Sequence, residues 1–182
     1  TSMIHNILLP AFVIIATDQW LPLCIFPELY VHSWKIRQFV NTTRPVWTYK
    51  TTQTDDVLCR VDVMRQINPA FIYFNRTHVY HGRTIRIQLQ GVFRRVHQER
   101  MDVGPIAVRP TYEEYLLFMS GDSTCAVIMV RSSIATYHYF DLRVRDSSIR
   151  AGPHPTCRRR FSELTRRGRI IYRTSCSRLL MP

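Results

Sequence analysis

Through most of the chain beyond residue 45, apolar and polar residues alternate with a period of two. Val46-Trp47-Thr48-Tyr49-Lys50-Thr51 is rich in β-branched and aromatic side chains. Val57, Cys59, Val61 and Val63 alternate with Leu58, Arg60, Asp62 and Met64, and Ile85, Ile87 and Leu89 alternate with Arg86, Gln88 and Gln90. Residues 70–75, 111–119, 125–131 and 137–145 carry the same signature. Successive side chains of a strand point to opposite faces, so this period predicts half-buried strands. Seven or eight short strands with turns between them predict an all-β closed barrel or sandwich. Two segments depart from the pattern. Residues 30–40 read as a short amphipathic helix with Trp34, Ile36, Phe39 and Val40 on its apolar side, ended by Asn-Thr-Thr-Arg-Pro because the residue before proline avoids helical dihedrals. After Gly152-Pro153-His154-Pro155, residues 158–167 read as a basic helix that turns Phe161 and Leu164 to the core.

The first residues have a different character. An apolar run over 7–16 has the length of a secretory h-region and is too short to span a bilayer, although no Lys or Arg precedes it and no A-x-A site follows. The expected organisation is a leader over 1–27 and one domain over 28–182. Cleavage near Glu28 would remove Cys24 and leave four cysteines, Cys59, Cys125, Cys157 and Cys176. None forms a C-x-x-C pair or has zinc-ligand spacing, so disulfides in an oxidising, extracellular setting are expected. Sequons at Asn41-Thr42-Thr43 and Asn75-Arg76-Thr77 agree with export and predict glycans on Asn41 and Asn75.

Charge narrows the partners. Twenty-five basic residues, all arginine except Lys35 and Lys50, face 13 carboxylates for a formal net of +12. Such a field favours sulfated glycans, anionic lipids or acidic protein faces. Arg158-Arg159-Arg160 and Arg166-Arg167 are the densest cluster, and export argues against nucleic acid. No nucleophile, zinc-protease, P-loop or dinucleotide motif is present. His78 and His81 lack a partner at metal spacing and read as surface residues, and the adjacent Glu113 and Glu114 point to opposite strand faces. The expectation is a monomeric binding protein with no enzyme activity, cofactor or metal, whose rings, among them Trp47, Tyr49, Tyr73 and Tyr139, surround a cavity.

Several stretches match one family in order. These are 39–49 (FVNTTRPVWTY), 58–62 (LCRVD), 121–127 (GDSTCAV) and 139–144 (YFDLRV), followed by Cys157 and Cys176. Over roughly residues 30–176 the chain resembles the tick salivary lipocalins of the histamine-binding family. The general lipocalin Gly-x-Trp signature is not present, since Trp47 follows Pro45-Val46. The resemblance implies an eight-stranded antiparallel lipocalin barrel with a short N-terminal helix and a C-terminal helix packed outside. It also implies bridges Cys59–Cys176 and Cys125–Cys157, and the sequestration of a small host mediator that blunts inflammation or haemostasis at the bite.

The amine-binding pattern of that family is altered here. Ala126 stands where an Asp follows the cysteine, Asp141 replaces a Glu, and Arg143 replaces an aromatic residue. A sealed ammonium needs a carboxylate partner, because an unpaired buried charge is very costly. By resemblance the ligand is a biogenic amine such as histamine or serotonin, anchored by Asp141 with Glu114 or Asp62 and walled by Trp47, Tyr73 and Tyr139. By local chemistry a lipid mediator fits equally, with Arg143 or Arg86 meeting its carboxylate. Strand alternation puts Phe140, Leu142 and Val144 opposite Asp141, and a helix outside the barrel would cover both faces. Binding of a glycosaminoglycan or host protein through the arginine-rich surface is the alternative.

Overall fold

Eight antiparallel strands pair in chain order and close on themselves. The computed structural model describes residues 34–181; the expected leader, Cys24 and the start of the expected N-terminal helix lie outside the described residues. The strands are β1 (Val46–Thr51), β2 (Val57–Ile67), β3 (Phe71–Tyr80), β4 (Arg83–Phe93), β5 (Arg100–Pro105), β6 (Tyr112–Met119), β7 (Cys125–Ser132) and β8 (His138–Arg145). Each pairs with the next, and β1 pairs with both β8 and β2, which closes the barrel. Helix α1 (Ile36–Val40) precedes the barrel. Helices α2 (Asp146–Ile149) and α3 (Pro155–Leu164), the two-residue strand β9 (Arg169–Ile170) and a 3-10 turn (Thr174–Leu180) follow it.

Three elements differ from the sequence-based expectation. The helix expected over 158–167 begins and ends three residues earlier, because Pro155 starts it and the His154 ring accepts from the Thr156 N–H. Strand β5 was not among the expected segments: its Asp102, Gly104 and Pro105 interrupt the alternation, and pairing with β4 and β6 holds it. Arg169 and Ile170 of β9, which the alternation did not mark as a strand, pair with β1.

The period of two sorts the side chains into two apolar layers. Inside the barrel lie Val46, Ile72, Phe74, Leu89, Met101, Val103, Leu116, Ala126, Ile128, Val130 and Tyr139, and Ile36 and Phe39 of α1 close one end. Outside, Trp47, Val61, Val127, Leu142 and Val144 pack with Ile149 of α2 and Phe161 of α3. Strand β8 is therefore covered on both faces, as its mixed pattern implied. The Trp47 indole donates to Asp146 (2.7 Å), tying β1 to α2. At the closed end the Arg145 guanidinium donates to the α1 carbonyls of Gln38 and Phe39 and lies over the Phe39 ring.

The barrel seam is incomplete in its own strands. β1 and β2 share only the pairs Val46 with Asp62 and Trp47 with Val61. Beyond them the C-terminal segment fills the gap: the Ile171 N–H donates to Tyr49 O and the Cys59 N–H to Ile171 O. Cys59–Cys176 fastens that segment to β2, and Cys125–Cys157 fastens α3 to β7. These are the pairings that the family resemblance implies. The bridges span 117 and 32 residues. Loop-closure entropy gives about 5 and about 4 kcal/mol respectively. The Cys125→Ala/Cys157→Ala double variant is expected to melt roughly 8–16 °C lower in scanning calorimetry.

Candidate ligand-binding site

The barrel interior is apolar towards α1 and ionic in its middle. Three carboxylates and three guanidiniums meet there, brought together by strands far apart in sequence: Arg60 and Asp62 from β2, Arg76 from β3, Glu114 from β6, and Asp141 and Arg143 from β8. All face inward because each keeps the parity of an inner apolar neighbour, Arg76 with Ile72 and Phe74, Glu114 with Leu116.

Arg143 is the centre of this network. Its Nη1 donates to Glu114 (2.6 Å) and its Nη2 to Asp141 (3.0 Å), with Asp62 3.6 Å away. Arg76 grips Asp62 through two bonds (2.7 and 2.8 Å) and donates a third to the other Glu114 oxygen (2.9 Å). Arg60 stands 3.6 Å from Asp141 and donates to Gln53 in the β1–β2 loop (2.5 Å). The six formal charges cancel. Glu114 and Asp141 are fully buried and Arg143 is 2% exposed. Ions so placed are tolerated only when paired and hydrogen-bonded. Burial alone would raise the Glu114 pKa, but Arg143 and then Arg76 override it and hold the carboxyl at about 2, below its ordinary 4.5. Burial works against charge on Arg143 as well, and there Glu114 and Asp141 prevail and push its pKa up. Burial also raises the Tyr139 pKa, which keeps the phenol neutral.

The predicted site residues divide by strand parity. Asp62, Glu114, Tyr139, Asp141 and Arg143 converge inside. Trp47, Tyr49 and Tyr73 do not: Trp47 and Tyr49 pack against Tyr172 on the outside, and Tyr73 meets Phe71 and Gln90 on the outer face of β3 and β4. Phe74, one residue on, is the inner wall. Arg86 is exposed on β4. Asn41 is exposed beyond α1, and Asn75 is half-buried in β3. Arg60 and Arg76 were missed, although they share the parity of Asp62 and Phe74. His78, read as a surface residue, is half-buried, and burial followed by Arg60 and Arg76 lowers its pKa. Among the described residues no group of three His, Cys, Asp or Glu side chains converges as a metal site.

Two spaces adjoin the network. Towards α1, a cavity of about 20 Å³ among Phe39, Met64, Ile72, Phe74, Met101 and Arg143 has room for a single water. A Cβ at Gly91 would sit 2.9 Å from Ile72 Cγ2, so this end is packed. At the opposite mouth, Thr52, Gln53, Thr54, Asp55, Tyr137, His138 and Tyr139 line an open hollow of about 380 Å³, within the range of small-molecule sites. Beside it Arg60 lies over the Tyr139 ring. Three buried polar atoms in this region, Arg60 Nη1, Asp141 Oδ1 and His78 Nδ1, have no hydrogen-bond partner among the described residues.

No protein-family model matches the chain, and no curated protein matches it. Solved structures do. AM182, solved as a serotonin complex, is similar over 79% of this chain and 93% of its own, with TM-score 0.60 and 16% identity. The siderocalin Ex-FABP is similar over 68% and 84%, with TM-score 0.52 and 10% identity. Lobster apocrustacyanin A1 is similar over 76% and 81%, with TM-score 0.52 and 11% identity. At such identities the likeness concerns the fold, and the fold is that of the lipocalins.

The network makes stability pH-dependent with a defined sign. The Glu114 pKa is depressed on folding, so its contribution is complete above about pH 4.5 and is lost as pH falls towards 2. The shift corresponds to roughly 3 kcal/mol. Urea midpoints measured across that window are expected to fall steeply for the native protein and less steeply for Glu114→Gln.

Proposed function

We propose that the protein is a secreted ligand-sequestering lipocalin, with a leader over 1–27, whose ligand is an anionic or neutral lipid-like mediator and not a biogenic amine. The observation that carries this reading is the Arg143 guanidinium between Glu114 and Asp141. The position that an ammonium would take is filled by a cation of the chain itself. An incoming amine would add charge to a network already balanced, or would have to expel a buried arginine, and either is costly. AM182 was solved with serotonin; this chain shares its fold and, in this reading, not its ligand.

The mouth hollow suits an apolar body with an acceptor group. Tyr137 and Tyr139 offer ring surface, and beside the hollow Arg60 Nη1, 3.6 Å from Asp141, is a donor with no hydrogen-bond partner among the described residues. A carboxylate or carbonyl oxygen would satisfy it, and a charge-assisted bond is worth about 1.5–3 kcal/mol. The ligand is host-derived in this reading, and capture involves no catalysis. The two disulfides fit an extracellular protein, and no helix among the described residues is long and apolar enough to cross a membrane.

Isothermal calorimetry tests the reading. Histamine and serotonin are expected to give no binding heat at up to about 1 mM. Arachidonate is expected to bind, and Arg60→Gln to weaken it about tenfold or more. Tight serotonin binding abolished by Asp141→Asn would overturn the assignment.

A second reading rests on the surface. The six charges of the network cancel, so they contribute nothing to the formal net of +12. Lys35, Arg37, Arg94 and Arg95 line one cleft of about 700 Å³ beside α1 with no carboxylate among its lining residues. This cleft, together with Arg158, Arg159 and Arg160 on α3, fits a sulfated glycan. Retention on heparin resin is expected, with elution at moderate salt because exposed contacts are screened. Lys35→Ser/Arg95→Ser is expected to elute earlier.

A further inference from the structure

Exposed apolar side chains gather at the open mouth. Ile106 and Val108, in the β5–β6 loop, are 44% and 59% exposed, and Ile134 and Tyr137, in the β7–β8 loop, are 80% and 48% exposed. Single exposed apolar residues are ordinary, whereas four on adjoining loop tips at one end of a barrel form a feature. The Ser133 N–H donates to Thr111 O, so the two loops are neighbours.

These side chains are held outward by ordered turns. The Val108 N–H closes a turn onto Pro105 O, with Ala107 in the left-handed region at φ 61°. Ser132 Oγ accepts from the Ile134 and Ala135 N–H groups, which projects Ile134 away from the barrel. The other two mouth loops join the same rim, since His81 of the β3–β4 turn lies 3.5 Å from Asp56 of the β1–β2 loop.

Charge says what covers this face. Residues 106–111 and 132–138 contain no carboxylate. Arg109 is exposed within the first loop; Arg131, near the end of β7, is half-exposed and already paired with Glu113. Aliphatic tips beside the exposed Arg109 guanidinium, on a strongly cationic protein, match the acyl–headgroup boundary of an anionic bilayer: the tips reach below the phosphates and Arg109 pairs with them.

We infer that the β5–β6 and β7–β8 side of the barrel's open end docks on anionic lipid surfaces through Ile106, Val108, Ile134 and Tyr137, beside Arg109, with Asp55 and Asp56 on the neighbouring β1–β2 loop outside the contact. A lipid-like ligand would then reach the mouth hollow directly from the bilayer. The docking itself is independent of which ligand the hollow takes.

Co-sedimentation with phosphatidylcholine vesicles containing about 30% phosphatidylserine tests this. The full chain is expected to pellet with these vesicles and not with pure phosphatidylcholine. Val108→Asp/Ile134→Asp is expected to lower the bound fraction about tenfold, and Arg109→Gln to weaken binding and flatten its salt dependence. Both positions are exposed, and an unchanged melting temperature will establish that the double variant is folded. Failure of the native chain to pellet, or equal pelleting of the folded double variant, would overturn the inference. So would a concentration-dependent dimer that the double variant abolishes, since the face would then be a contact between copies. Arachidonate binding by the double variant in calorimetry separates a failure of docking from a failure of the ligand reading.

Discussion

Six ionised groups in the middle of a β-barrel are tolerable only because each is answered by another. Arg143 meets Glu114 and Asp141, Arg76 meets Asp62 and Glu114, and Arg60 stands beside Asp141. These contacts tie β2, β3, β6 and β8 together across the lumen, where backbone pairing does not reach. Removing one partner would strand a charge in a region with little water, so the network specifies which strand faces point inward. It also sets the character of the interior, which is neutral in sum and polar at the centre.

That neutrality links the inside of the molecule to its outside. With no unbalanced charge in the barrel, the electrostatic field around the protein belongs to its surface arginines. The closed end, packed by Ile36 and Phe39, leaves almost no free volume, and the available space lies at the mouth. Function in this reading has moved from an enclosed chamber to the rim and the outer faces, while the barrel provides the rigid support.

Much of this was legible in the residues. Alternation over 46–51, 57–64 and 125–131 marked strands that the structure contains, and the order of the cysteines carried the two bridges through a family resemblance. Within the candidate site, Asp141 and Arg143 are two residues apart on one strand, so their pairing could be read locally. Arg60 and Arg76 could have been found by parity with Asp62 and Phe74, but an inward arginine gains meaning only beside its partner, and Glu114 lies 38 residues from Arg76. Trp47, Tyr49 and Tyr73 misled for the opposite reason. Aromatic residues serve either face of a barrel whose outside is partly covered, and only the register of β1 and β3 decides between the two. Strand β5 lacked a strong pattern because two neighbouring strands hold it in place.

The C-terminal segment gives the barrel a temporal property. Ile171 occupies the stretch where β1 and β2 part, accepting from the Cys59 N–H and donating to Tyr49 O. A nascent chain not yet extended to Ile171 therefore has an unsealed wall with bare amide edges. Closure of the cylinder waits until synthesis has passed Ile171, and removal of this segment would unzip the barrel at the very place where its first strand meets its second.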